Sequence, residues 1–252
     1  MAGHSKFKNI QHRKGAQDKK RGKIFARCAR EITVAVKEGG PDPDMNPRLR
    51  LAIANAKSLN TPNDNIARAI KAGTGEGEDG VIYEDVRYEG YGPGGTAIIV
   101  ETLTENRNRT ASEVRSTFAK YGGNLGETGS VGFMFDRMGE IIYPSDKASE
   151  DEMFEAAVEA GADNVESGDE THDIYTAADD FASVQEALAS KYGDPERAGL
   201  TWKPNVNKDV DEDTASSVLK LIEMLDDLDD VQSVYTNFDV SDEILAKLTA
   251  SG

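Results

Sequence analysis

The chain has 252 residues, 38% of them apolar and 7% aromatic, enough for one to three domains with mainly aliphatic cores. It carries a formal charge of −17 and a single cysteine, Cys28, which excludes an intramolecular disulfide and makes a reducing cytoplasm the expected compartment. No apolar run is long enough to span a membrane, and the basic N-terminus lacks the apolar stretch of a secretory signal.

The first predicted element is a basic arm, residues 1–21. Its runs Gly3-His4-Ser5-Lys6-Phe7-Lys8 and Lys19-Lys20-Arg21-Gly22-Lys23 show neither helical nor strand periodicity. Like charges this dense repel one another and keep an unbound segment extended. A mitochondrial presequence is disfavoured: residues 1–30 hold one acid, Asp18, but also only one serine, with abundant Lys and Gly and little amphipathic order.

A three-helix domain follows over 22–75. Helical periodicity starts near Ile24, with Phe25, Cys28, Ile32 and Ala35 in one apolar stripe, and Gly39-Gly40-Pro41 stops it. Asn46 with Pro47 caps and opens the second helix, whose inner face is Leu49, Ala52, Ile53 and Ala56. Thr61-Pro62-Asn63-Asp64 opens the third, with Ile66, Ala69 and Ile70 inward and Gly73 at its end.

A Gly- and acid-rich linker at 74–80 leads into α/β texture. Val86 and Tyr88 mark one strand, 97–103 a second, and Gly90-Tyr91-Gly92-Pro93-Gly94-Gly95 the turn between them. Thr110-Ala111-Ser112-Glu113 reads as a capping box opening a helix, and Val131, Phe133 and Phe135 alternate as a third strand. Strand 140–143, helix 149–160, strands 164–167 and 172–177, helix 180–192 and strand 199–203 then form a β-α-β-β-α-β run, the ferredoxin-like arrangement. A last helix at 211–228 and strand at 231–238 cannot bury both faces alone. They are expected to complete the half-covered sheet of 81–135. The predicted fold class is therefore α+β and multi-domain: an N-terminal three-helix domain plus two α/β sandwich domains, one ferredoxin-like (136–204) and inserted in the other (81–135 plus 205–240).

The charge is unevenly divided. Through Gly73, sixteen Lys and Arg stand against six Asp and Glu, giving +10; after it thirteen stand against forty, giving −27. This implies a polyanionic partner, nucleic acid, for the N-terminal end, with the acidic remainder kept in solvent. Lys6, Lys8, Arg13, Lys14, Lys19, Lys20, Arg21, Lys23, Arg27 and Arg30 are the candidate phosphate contacts. Phe7, His4 and His12 offer rings for stacking on unpaired bases, which favours single-stranded or looped targets. Helices two and three also allow a helix-turn-helix reading with Arg68 and Lys71 at base edges; simple packing of a helical corner is the competing reading. Asn106-Arg107-Asn108-Arg109 precedes a helix start and is either an anion site or a loop fixed by nearby carboxylates.

Other chemistry is not expected. Three histidines (His4, His12, His172) and Cys28 are too few for an ordinary structural zinc site, and no G-x-S-x-G nucleophile motif occurs. The glycines at 90–95 lead into a strand, without the helix N-terminus that would hold a phosphate. No catalytic residue, metal or cofactor is assigned, no membrane is implied, and the chain is expected not to be an enzyme.

Taken together, several segments resemble the YebC/PmpR family, which includes a mitochondrial translational activator. They are Gly3-His4-Ser5-Lys6, Arg21-Gly22-Lys23-x-Phe25, Gly39-Gly40-Pro41-Asp42-Pro43, Asn46-Pro47-Arg48-Leu49-Arg50, the stretch from Tyr88 to Gly95, Asn106-Arg107-Asn108-Arg109-Thr110 and Gly122-Gly123-Asn124-Leu125-Gly126. Phe7 stands where the family usually has Trp, keeping a stacking face but losing the indole donor, and Thr61 where it usually has Met. The resemblance implies three domains and a DNA-binding transcriptional regulator. Its alternative implication is a translation factor on the ribosome, bound to ribosomal RNA, that relieves stalling at proline-rich nascent chains.

Overall fold

The computed structural model describes residues 18–75, 83–241, 243–244 and 247–248. The chain divides into two compact units, residues 28–78 with 137–203, and residues 1–27 with 79–136 and 204–252.

In the first unit the helical part is built from α1 (Asp18–Gly39), which enters this unit at Cys28, α2 (Pro47–Ser58) and α3 (Asn63–Gly73). Ile32, Ala35, Val36, Leu49, Ala52, Ala56, Ile66 and Ala69 form its core. Asn46 joins two helix ends. Its Oδ1 accepts the Leu49 N–H at 3.0 Å, capping α2, while Nδ2 donates to the carbonyls of Ala35 and Gly40 at the end of α1. Gly73 is a close-approach glycine: a Cβ there would lie 2.5 Å from the Val36 side chain.

Two sequence expectations change here. Helix α1 begins at Asp18, six residues before the predicted Ile24, so Lys19, Lys20, Arg21 and Lys23 are helical and not part of an extended arm. Lys and Arg are good helix formers, and an acid in the first turn suits the helix dipole. Thr61 does not cap α3; its buried hydroxyl has no hydrogen-bond partner, and the α3 N-cap position is Pro62.

The rest of this unit runs β4 (Phe135–Pro144), α5 (Glu150–Ala160), β5 (Asn164–Ser167), β6 (Thr171–Ala177), α6 (Phe181–Tyr192), β7 (Arg197–Pro204). The sheet order β5-β6-β4-β7, with helices between the expected strands, is the ferredoxin-like fold. Ser149 and Glu152 close the predicted capping box of α5. Ile141, Tyr143, Met153, Ala157, Ile174, Val184 and Leu188 fill the core, and Leu51 of α2 packs against it. His172 is structural: Nδ1 meets Ser167 Oγ at 2.7 Å and Nε2 meets the Ala148 carbonyl at 3.0 Å.

The second unit holds β1 (Glu84–Tyr91), β2 (Ala97–Thr104), α4 (Arg107–Lys120), β3 (Asn124–Leu125), β8 (Lys208–Asp209), α7 (Glu212–Asp226), β9 (Val231–Thr236) and β10 (Phe238–Asp239). Its main sheet has the order β3-β1-β2-β9, so the C-terminal strand completes the sheet of the middle segment. Val114 and Phe118 of α4 and Val218, Leu221, Ile222 and Leu225 of α7 pack with Ile98, Val100 and Val234 of the sheet. The ferredoxin-like segment is thus inserted between the two halves of this α/β layer pair.

The strand predicted at 131–135 does not form. The third strand is Asn124–Leu125, and Gly132–Met134 is a single 3-10 turn. Glu89 explains the change: its Oε2 takes the N–H groups of Val131 and Gly132 at 2.9 and 2.7 Å, removing them from any ladder. Val131 is buried and Phe133 points outward, 69% exposed.

Candidate nucleic-acid interface

His4, Lys6, Phe7, Lys8, His12, Arg13 and Lys14 lie outside the described residues. Lys19 and Lys20 lie in the first turn of α1. Lys23, Arg27 and Arg30 follow at spacings of four and three, which sets them along one helix face. Arg21 is exposed; Lys23, Arg27 and Arg30 are half-buried.

The half-burial of Lys23 and Arg27 has a definite source. Lys23 Nζ lies 2.9 Å from Asp227 Oδ1, 3.9 Å from Asp229 Oδ1, and 2.5 Å from the Asp227 carbonyl oxygen. Arg27 Nη1 lies 3.0 Å from Asp226 Oδ1, and its Nη2 donates to the Asp226 carbonyl. All these residues belong to the second unit. The end of α7 thus receives two cations from α1. Sequence reading missed these aspartates, yet a signal was there. Asp226, Asp227, Asp229 and Asp230 crowd the end of a helix with no basic residue in its last turn, where the dipole favours cations.

Arg68 and Lys71 are exposed on α3. The Arg68 guanidinium turns back on its own helix, to Asn65 Oδ1 and to the Asp64 carbonyl.

At the Asn106–Arg109 segment, the cap is Asn106, whose Oδ1 accepts the Arg109 N–H at 3.1 Å; Thr110 is not the cap, and the helix begins at Arg107. Thr110 serves a different purpose. Its hydroxyl donates to Asp230 Oδ2 at 2.6 Å and lies 2.7 Å from Thr104 Oγ1. Asp230 Oδ2 also takes Arg109 Nη2 at 2.8 Å and Thr104 Oγ1 at 3.0 Å. Burial pushes this carboxyl up, but the hydrogen bonds from Arg109, Thr110 and Thr104 and the Arg109 charge outweigh it, and its pKa is lowered. Arg109, bound to Asp230 and 3.6 Å from Glu105, is committed to fixing β2, α4 and β9 together. Arg107 and Asn108 are exposed at the first turn.

The glycine-rich signature is likewise scaffold. A Cβ at Gly90 would lie 2.7 Å from the Asn124 carbonyl, and Gly94 has φ +69. Pro93, Tyr121, Gly122, Ser217 and Lys220 border a groove of about 400 Å³. Among the described residues, no group of three His, Cys, Asp or Glu side chains is placed to hold a metal, and no helix is long and apolar enough to cross a membrane.

Comparison with known proteins matches residues 5–76 to the TACO1/YebC protein N-terminal domain and residues 83–238 to the TACO1/YebC second and third domain. Among solved structures, a conserved hypothetical protein from Aquifex aeolicus is 49% identical, with a TM-score of 0.82 over 90% of this chain and 94% of that one. With both family regions matched across nearly the whole sequence, the chain belongs to the TACO1/YebC family.

Proposed function

We propose that the chain is a nucleic-acid-binding regulator of gene expression, acting by binding and not by catalysis. The observation that carries this reading is the cationic face of α1, where Lys23, Arg27 and Arg30 extend the basic N-terminal segment in a chain that is otherwise −27 beyond Gly73. Aligned cations of this kind meet successive phosphates and release counterions. The family's association with transcription regulation supports duplex DNA as the target.

One observation favours a second target. Arg68, the side chain best placed on α3 to read base edges, is held by Asn65 and Asp64 of its own helix. A helix so engaged suits recognition of backbone and shape more than of sequence, which fits folded RNA. On this reading the protein is a ribosome-associated RNA-binding factor that relieves stalling at proline-rich nascent chains.

Ultraviolet crosslinking in cells, followed by sequencing of the bound nucleic acid, tests both. Discrete genomic sites support the transcriptional reading, and enrichment of ribosomal RNA supports the translational one. Recovery of no nucleic acid above a variant with Lys23, Arg27 and Arg30 changed to Ala overturns the proposal. Incubation of purified protein with labelled RNA or DNA and a divalent metal is expected to leave the substrate intact.

A further inference from the structure

The contact between α1 and the end of α7 uses the same side chains that the proposed function needs. Lys23 and Arg27 are bound by Asp226, Asp227 and Asp229 and by the last carbonyls of α7. A helix C-terminus carries partial negative charge, and three carboxylates added there make a dense anionic surface. Its chemistry matches that of successive phosphates: several oxygen acceptors within reach of one ammonium and one guanidinium. α7 needs cations at this end and has none in its own last turn.

We infer that the acidic end of α7 is an intramolecular competitor for nucleic acid, occupying Lys23 and Arg27 until a polyanion displaces it. The inference rests on the nucleic-acid reading of α1 given above. Lys23 has 39% of its side chain exposed and Asp227 and Asp226 about half of theirs, while Arg27 has 16%, so solvent and salt reach the contact through Lys23 and the carboxylates. That is what a displaceable clamp requires; a fully buried pair would be too costly to open. Asp230 takes no part in the exchange, because it is buried and bound by Arg109, Thr104 and Thr110. Opening the clamp therefore leaves the sheet intact.

The test compares the full-length chain with its D226N/D227N variant, using fluorescence anisotropy of a labelled single-stranded RNA of random sequence over a salt series. Neutralising the clamp is expected to tighten binding about ten-fold and to steepen the log–log salt slope by up to about two charges, as Lys23 and Arg27 become free for phosphates. An E212Q/D213N variant removes the same charge from the opposite end of α7, where both acids are exposed. It is expected to gain no more than about two-fold, the general effect of lowering net negative charge. A K23A/R27A variant is expected to bind more weakly than wild type and to gain nothing from D226N/D227N. Thermal melting checks that each variant is folded, and D227N alone provides a milder substitution. If wild type binds and the two double variants of α7 gain equally, or neither gains, the clamp is overturned while the nucleic-acid reading stands. If no form binds RNA or duplex DNA, that reading falls, and the clamp falls with it.

Discussion

Two four-stranded antiparallel sheets in this molecule each bury carboxylates, and they treat them in opposite ways. In the sheet β3-β1-β2-β9, Glu89 and Asp230 are buried and surrounded by donors. Burial raises both, but for Glu89 the backbone N–H groups of Val131, Gly129 and Gly132 and the Arg87 charge prevail, and its pKa, like that of Asp230, is lowered. In the ferredoxin-like sheet, Asp173 is also buried; its Oδ1, like Glu89 Oε1, has no hydrogen-bond partner, and a single side-chain hydrogen bond, from Thr171, supports its charged form. Burial raises its pKa, and nearby Glu140 and Glu166 add to the rise against Thr171 and Arg197. Burial alone does not decide the charge of a carboxyl; the number of donors aimed at it does.

The largest test of this contrast is Asp230→Ala. It strips three donors of their acceptor, two of them the buried hydroxyls of Thr104 and Thr110, and is expected to cost about 3 kcal/mol in urea denaturation. A loss below about 1 kcal/mol would show that the network is ornamental. Glu89→Ala comes next, at about 2 kcal/mol, with a local signature: faster amide exchange at Val131 and Gly132. Glu89→Gln, which keeps one acceptor oxygen, is expected to lose about half as much.

Asp173→Asn is the counter-test. Removing a buried charge supported by a single side-chain hydrogen bond, from Thr171, is expected to leave stability at pH 7 within about 1 kcal/mol of wild type, or raise it. A loss larger than that would mean that Asp173 is satisfied by partners after all. The pH dependence follows from the same signs. Glu89 and Asp230 have lowered folded pKa values, so their contribution is complete above the ordinary carboxylate value of about 4 and is lost as pH falls through the folded values. Asp173 has a raised folded value, so its contribution runs the other way: stability falls as pH rises from about 4 through the folded value. Amide exchange measured at pH 7, 4 and 3 is expected to show β2 and β9 losing protection in the step below pH 4, while the Asp173 contribution to β6 moves in the opposite direction over the step above it. The same trend in both sheets would break the comparison.

Local chemistry carried much of the fold. Asn46-Pro47 and Ser149 with Glu152 mark helix starts by side-chain hydrogen bonds that need only neighbouring residues. The β-α-β-β-α-β run was readable because its strand and helix periods alternate cleanly, and the unpaired C-terminal helix and strand implied their sheet. What was not legible depends on distant partners. The strand expected at 131–135 is cancelled by Glu89, more than forty residues away in sequence. Thr110 looks like a cap until Asp230 claims its hydroxyl. The early start of α1 runs against local charge repulsion, and Lys23 and Arg27 find their counter-charges at Asp226 and Asp227, about two hundred residues on. Of the candidate interface, the cationic stretch was visible in composition, and the acids that cover part of it were not. Arg107 and Arg109 looked equivalent in sequence, but only Arg109 is drawn into the Asp230 network.

The pairing of β2 with β9 also sets a timetable for synthesis. Ala97 donates to Asn237 across 140 residues of chain, and Ile98, Ile99 and Val100 of β2 end fully buried. While the protein emerges from N to C, that apolar strand has β1 on one side and an open edge on the other until residues 231–236 appear. By then the last strand of the ferredoxin-like sheet, Arg197–Pro204, has already been made. The inserted segment can therefore finish before the layer that encloses it in sequence, and the exposed β2 edge is the nascent chain's period of greatest risk for misassociation.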